Sequence, residues 1–294
     1  PHPKYLRHFY LSMAFGGALG GVFVNFIAPY IFTSYLERLL SIILLCLLTF
    51  YLLFRGHYST ATKEIQLKEN FHRWATPLVN VMVFLLCSLS LVLAGALLVA
   101  TTFFQGDSVL AEERNFYSSI KITKEIIEGK PSITMVHGRV VHGREMESGH
   151  GTYWEPVRLA YRLTRNQVGD KPIKIGIIGL GVGANVAFAR EGDSITYYEL
   201  DPKVEHLARD HFSYLNKCKA EVKVKTGDGR NVLDREEPQH YDLLLVDVFN
   251  GNAIPVHLLT REAMQIYLKH LKPEGMIGMH VSNRYLDLIP VVSH

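Results

Sequence analysis

Three charge-free apolar runs constrain this chain before anything else does. Residues 11–32, 39–54 and 78–104 contain no Asp, Glu, Lys or Arg. Hydrocarbon offers no partner to a backbone N–H or C=O, so a run buried in it must bond to itself, and a helix does this within one segment. Crossing a bilayer takes roughly 20 such residues. The first and third runs meet that length, and the second approaches it once Leu36 extends it. The reading is a membrane region over 1–107, with spans at about 11–32, 36–54 and 78–104. A signal peptide does not fit, because the runs follow one another and no small-residue cleavage site follows the first. Gly16, Gly17, Gly20 and Gly21 would let helices approach closely. Asn25 and Asn80 are the strong polar groups inside the spans. Transport normally leaves ionisable groups there, so anchoring is the better reading.

Composition narrows the rest. The chain has 294 residues, 48% of them hydrophobic, and a mean hydropathy of +0.09, high for a purely soluble protein. Its formal charge of +3 comes from scattered Lys and Arg with no basic run interleaved with aromatics, which argues against a nucleic-acid partner. Cys46, Cys87 and Cys218 lie far apart and form no CxxC pair, so neither a disulfide framework nor a zinc site is indicated. His137 and His142 are close in sequence, but each reads as a strand or loop histidine rather than a metal ligand. No metal site is expected.

Past a polar linker at 105–112, the chain turns strand-rich. Segments 118–124, 132–136 and 139–142, with turns at Gly129-Lys130-Pro131 and His137-Gly138, read as an antiparallel meander. The expected small β-domain covers 108–152. From 153 to 294, strands alternate with helices, the pattern of a parallel sheet in an α/β domain. A helix is expected at 156–164, strands at 173–178, 194–200, 221–226 and 241–247, and a fifth strand at 276–282. Helices are expected at 184–190, behind Pro202, and at 261–271 with Thr260 as N-cap. Lys272-Pro273-Glu274-Gly275 reads as the stop of that last helix.

The first of these strands runs into Gly179-Leu180-Gly181-Val182-Gly183. Glycines at alternate positions remove Cβ atoms, so backbone can come close to a sugar or an adenine. Glu199 follows about 20 residues later, placed to accept hydrogen bonds from ribose hydroxyls. Gly179-x-Gly181-x-x-Ala184 fits a dinucleotide turn, and Gly179-x-Gly181-x-Gly183 fits an S-adenosylmethionine (AdoMet) turn equally well. Asp228, followed by Gly229, and Asp247 would also lie at carboxyl ends of strands, where ligands of open parallel sheets bind. A dinucleotide leaves those two acids without a task. An AdoMet-type ligand uses them all, with Glu199 on ribose, Asp228 on the adenine amino group and Asp247 facing the sulfonium. Asp228 also fits a plain turn-forming Asp before Gly.

Glu199-Leu200-Asp201-Pro202, Gly227-Asp228-Gly229-Arg230, and Asp247-Val248-Phe249 leading to Ile254-Pro255-Val256-His257 together resemble the polyamine synthase (spermidine synthase-like) family. More narrowly, with His280-Val281-Ser282-Asn283-Arg284-Tyr285 and the apolar N-terminal third, they resemble its bacterial branch fused to transmembrane helices. The resemblance implies an AdoMet-methyltransferase-like, Rossmann-like fold behind a small β-domain. It implies transfer of an aminopropyl group from decarboxylated AdoMet to a polyamine, with release of methylthioadenosine. AdoMet or its decarboxylated form would be the substrate, and no prosthetic group is expected. Gly179, Gly181, Gly183, Glu199, Asp228, Gly229 and Asp247 would bind the nucleoside, and Asp247, Tyr153 and Glu155 would form the catalytic side.

The chain departs from that family in three places. Soluble spermidine synthases carry a second Asp three residues after the first, where this chain has Asn250, then Asn252. Their Tyr-His-Glu is Tyr153-Trp154-Glu155 here, and a Gln expected after His142-Gly143 is replaced by Glu145. An amide is no base, so two further readings stand beside amine transfer: cleavage of AdoMet to methylthioadenosine without an amine acceptor, and a non-catalytic membrane nucleoside sensor. The lysines and arginines flanking the spans, counted by the positive-inside rule, put the C-terminal domain outside the cytoplasm. AdoMet is cytosolic, and that argument is given the greater weight. The chain is therefore expected in a bacterial inner membrane with its catalytic domain in the cytoplasm. A homo-oligomer is compatible with such a chain. The chain opens at Pro1 and has fewer strands than AdoMet-fold sheets usually carry, and the sequence leaves open whether it is a piece of a longer chain.

Overall fold

The computed structural model describes residues 3–54, 72–103, 108–138, 140–146, 154–248, 254–281 and 290. It divides into two compact units. One comprises Pro1–Asp107 with Arg114–Phe116, and the other Ser108–Glu113 with Tyr117–His294.

The first unit is helical. Helix α1 (Leu6–Val22) widens into a π turn over Phe23–Ile27 before α2 (Ala28–Ile31). Pro29 cannot donate to the carbonyl four residues back, and its ring crowds that carbonyl, which accounts for the loosened turn just ahead of it. Asn25 Nδ2 donates to the Gly21 carbonyl at 2.8 Å, so its amide is satisfied within the helix. Helix α3 (Leu36–Phe54) packs against α4 (His72–Phe103), with Phe50 and Phe84 edge-to-face at 5.1 Å. Leu6–Ile31 and Val81–Ala100 are long and apolar enough to cross a bilayer, with mean hydropathies of 1.7 and 2.7. The expected middle span coincides with α3, whose first turn carries Glu37. Glu37 is held by a bidentate pair with Arg114, at 2.8 and 2.9 Å, and the guanidinium lies 4.2 Å from the Tyr35 ring centroid.

The second unit contains two sheets. Strands β1 (Val109–Arg114), β2 (Ser119–Ile127), β3 (Lys130–His137) and β4 (Val140–Met146) form a four-stranded sheet in that order, antiparallel from β2 through β4. The chain expected as a linker thus already contains most of β1. Glu128 and Gly129 both have positive φ, +52° and +75°, as a two-residue hairpin turn of matching twist requires. Between β3 and β4 the register slips: Met135 faces Gly143 and Val136 faces Val141, so His142 is pushed out of the ladder as a bulge. The inward side chains Ile120, Ile122 and Met135 join Ile175, Ile177 and Tyr197 in one continuous core.

The other sheet is parallel, ordered β7-β6-β5-β8-β9, with β5 Lys174–Ile178, β6 Ser194–Glu199, β7 Glu221–Thr226, β8 Tyr241–Val246 and β9 Leu271–Met279. Every side chain of β8 is buried, as expected of a central strand covered on both faces. The chain leaves β5 toward β6 on one side and later returns to β8 on the other. The strand order therefore reverses beside β5, and a crevice opens at the carboxyl ends there.

Two connections differ from expectation. The stretch 184–190 is a short 3-10 helix, Ala184–Phe188, instead of an α-helix. The glycine turn and the turn before β6 leave few residues to travel back along the sheet, and a 3-10 helix advances about 2.0 Å per residue against 1.5 Å for an α-helix. The Lys272-Pro273-Glu274-Gly275 stop lies inside β9, whose pairing with β8 jumps from Tyr241–Leu271 to Leu243–Met276. The turn chemistry there makes a bulge within a strand rather than an end. Elsewhere the expected helices differ in length, with α5 covering Trp154–Val168, α6 Pro202–His211 and α9 Arg261–Lys269, and two short helices that were not expected lie between them, α7 Tyr214–Lys217 and α8 Gly229–Arg235. Thr260 caps α9 through the Ala263 N–H at 3.3 Å.

Candidate nucleoside and transfer site

Gly179, Gly181 and Gly183 all have left-handed φ, at +92°, +54° and +77°, which side chains with a Cβ adopt only under strain. The turn is also clamped. A Cβ on Gly179 would collide with the Asp247 carbonyl oxygen at the end of β8. A Cβ on Gly181 would come within 3.0 Å of the His142 carbonyl oxygen in the β4 bulge, and one on Gly183 within 2.8 Å of the Leu215 side chain. The first glycine continues the sheet by donating to the Tyr198 carbonyl at 2.9 Å. Bare backbone is therefore closely packed at each of these glycines.

Glu199 ends β6. Its Oε2 accepts from the Leu180 N–H of the glycine turn at 2.9 Å, and its Oε1 from the Asp201 N–H at 3.0 Å. Burial pushes this carboxyl above the usual range, and those N–H groups pull it partly back. Each oxygen has a second lone pair for a ligand hydroxyl. Asp228 has two local tasks already. Its Oδ1 caps α8 through the Asn231 N–H at 2.9 Å, and its Oδ2 lies 2.8 Å from His257 Nε2. Gly229 is a packing position, because a Cβ there would collide with Ile178.

Asp247 follows β8 directly and is held through both carboxylate oxygens. Its Oδ2 accepts from Asn185 Nδ2 at 3.3 Å, and its Oδ1 lies 2.8 Å from His280 Nδ1 at the end of β9. The stacked rings of His137 and His142, 4.0 Å apart, reach the same region, since the Asp247 charge acts on His142. By residue surface both histidines are partly covered, but each Nε2 is fully buried and without a hydrogen-bond partner among the described residues. Burial pushes His137 down to about 3. It also lowers His142, with Asp247 opposing.

Of the other expected site residues, Tyr153, Asn250 and Asn252 lie outside the described residues, as do Ser282 to Tyr285. Glu155 is exposed in the first turn of α5, paired with Arg158 at 2.5 Å, and takes no part in the hydrogen bonds around Asp247. Glu145 turns to the loop before α7, bonding the Ser213 N–H at 2.8 Å and the Ser213 hydroxyl. A cavity of about 1000 Å³ lined by Ile133, Glu145, Val186, Ser213 and Cys218 lies there and includes neither the glycine turn nor Asp247. Sequence reasoning overlooked Asn185 and His280 as partners of Asp247 and gave His142 no place at the site. A polar residue at the carboxyl end of the last parallel strand was a usable signal for His280. The bulge that re-aims His142 had none.

Over 177 residues the chain is 30% identical to the polyamine aminopropyltransferase of Vibrio vulnificus (strain CMCP6), covering 58% of each protein. By these relatives the chain resembles the spermidine synthase-like family. The chain is also 24% identical over 187 residues to the probable polyamine aminopropyl transferase of Bifidobacterium longum (strain NCC 2705), covering 61% of the chain and 37% of that relative. It spans less than two thirds of the length of either. Among solved structures it is similar to a probable spermidine synthase from Corynebacterium glutamicum ATCC 13032, at 18% identity and a TM-score of 0.47, covering 57% of the chain and 61% of that structure. No protein-family model matches.

Proposed function

We propose that this spermidine synthase-like protein is a membrane-anchored transferase that binds AdoMet or decarboxylated AdoMet and passes an aminopropyl-type group to an amine, releasing methylthioadenosine. The observation that carries the proposal is the alignment of Gly179, Glu199 and Asp247 at the carboxyl ends of the neighbouring strands β5, β6 and β8. In that arrangement the glycine turn takes the nucleoside, Glu199 accepts from the ribose hydroxyls, and Asp247 faces the sulfonium. Asp228 and Gly229 close the adenine end, where Asp228 would keep its cap and exchange His257 for the adenine amino group. Tyr153 and Glu155 belong to the acceptor side. The sulfonium is already an excellent leaving group, so the protein's work is orientation and proton removal. The apolar helices would hold the protein in a bilayer, with the site on the cytoplasmic side where AdoMet is made.

The test is mass spectrometry of the products from AdoMet and from decarboxylated AdoMet, each with and without putrescine. Spermidine and methylthioadenosine, formed only from decarboxylated AdoMet with putrescine, are the expected result. A second reading is favoured by the amides at Asn250 and Asn252, which attract a diamine dication less than a carboxylate would: AdoMet cleavage without an amine. Methylthioadenosine formed from AdoMet alone would establish that reading and sink the first. Binding with no turnover of either compound would leave a nucleoside sensor.

A further inference from the structure

The cavity beside Glu145 lies apart from the site described above. Its volume of about 1000 Å³ is at the upper end of what small-molecule sites occupy. Its walls come from β3, β4, the 3-10 helix Ala184–Phe188 and α7, all within the second unit. Ile133, Met146 and Val186 give it an apolar lining. Four exposed cations join them: Lys124, Arg190, Lys217 and Lys219. Among the described residues none of these four side chains has a hydrogen-bond or ion-pair partner. Other lysines of this unit are matched, Lys203 with Glu113, Lys225 with Glu236 and Lys272 with Asp242, each at 2.6 Å. Nor do the acids of the lining answer the four. Glu145 is turned to Ser213, accepting from its N–H at 2.8 Å and from its hydroxyl, which leaves Glu191 as the exposed acid. Like charges around one concavity with low-dielectric walls focus their field into it, and an anion relieves their repulsion.

We propose that this cavity is a second ligand site, taking a phosphate ester whose apolar body lies on Ile133, Met146 and Val186 and whose phosphate oxygens meet Arg190 and the three lysines. Phosphate suits the lining better than a lone carboxylate does. One phosphate brings up to two negative charges and three acceptor oxygens, enough to engage several cations at once. A guanidinium such as that of Arg190 can also grip two of those oxygens together. The ligand is not the nucleoside of the glycine turn, because the lining includes neither that turn nor Asp247. The 3-10 helix stands between the two sites, contributing Val186 to the cavity and Asn185 to Asp247. The assignment therefore holds whichever reaction the other site performs.

The full chain in an uncharged detergent is titrated by calorimetry with geranyl diphosphate and with dihexanoyl phosphatidic acid, a soluble and a lipid form of the same chemistry. Geraniol and dihexanoyl phosphatidylcholine serve as their counterparts without net charge. At least one phosphate probe is expected to bind saturably, one per chain, and to weaken as salt rises from about 50 to about 500 mM. Tighter binding of geranyl diphosphate identifies a soluble ester, and tighter binding of phosphatidic acid a lipid headgroup. Reversing two cations together, Arg190→Glu with Lys217→Glu, is expected to weaken the bound probe about tenfold or more. The milder pair Arg190→Gln with Lys217→Gln should weaken it about threefold. Lys171→Glu with Lys269→Glu makes the same change of charge at exposed lysines outside the lining and is expected to stay within about twofold of wild type. The absence of saturable binding by either phosphate probe overturns the proposal. So does wild-type affinity in both the Glu and the Gln pairs, or an equal loss in the Lys171 and Lys269 pair, which would mark a diffuse effect of net charge. Uncharged counterparts that bind as tightly as the phosphate probes would overturn it too.

Discussion

At the scale of single residues, the second unit holds two kinds of buried ionisable group, and they pull stability in opposite directions with pH. Glu199 has its carboxyl raised by burial. A raised acid contributes stability at low pH and loses it as pH climbs through its folded value, a cost that a ribose-binding role would explain. His137 is the reverse case, lowered to about 3 by burial and by its neighbour His142. Between the ordinary histidine value near 6.5 and that value, the unfolded chain binds a proton that the folded one refuses. Stability is therefore full above about 6.5 and falls as pH drops, by up to about 1.4 kcal/mol per pH unit for this ring. Unfolding midpoints at pH 7 and pH 5 should show the loss, and His137→Phe should show a smaller one. The Phe variant also removes a buried Nε2 that has no partner among the described residues, so its midpoint at pH 7 is expected to be no lower than wild type.

At the scale of elements, the glycine turn is where local conformation and packing coincide. Gly179→Ala would put a Cβ at φ +92° and against the Asp247 carbonyl. Strain and overpacking together are expected to cost about 3 kcal/mol and to abolish nucleoside binding, read by thermal unfolding and calorimetry. This turn was legible in the sequence because φ > 0 at close quarters is a demand that glycine meets almost alone. So were the buried run of β8 and the Thr260 cap, both set by patterns within a few residues. What was not legible depended on partners distant in sequence. The 3-10 helix at Ala184–Phe188 follows from the distance the chain must cover to reach β6. Pro273 and Gly275 look like an end, and only pairing with β8 turns them into a bulge. His142 leaves its ladder because β3 and β4 slip register between Met135 and Val136. Asp228, read as a ligand group, proved also to be a helix cap, a role its place before Gly229 already allowed.

At the scale of the whole molecule, the first unit exposes a large apolar surface. No described residue of α1 is buried, and Leu11 and Phe15 are 70% and 64% exposed. Under the proposed anchoring, this exposed apolar surface is covered by lipid. The protein is accordingly expected to sediment with membranes, resist an alkaline carbonate wash and be released by detergent; recovery in the carbonate supernatant would contradict it. In the second unit, the contact between Gly179 and the Asp247 carbonyl has a consequence for the order of events. The turn that would grip the nucleoside is packed against the end of β8, from which Asp247 would face the sulfonium. Under the proposed reaction the two substrates are therefore thermodynamically linked. Whatever factor the amine applies to nucleoside affinity, the nucleoside must apply in return to the amine.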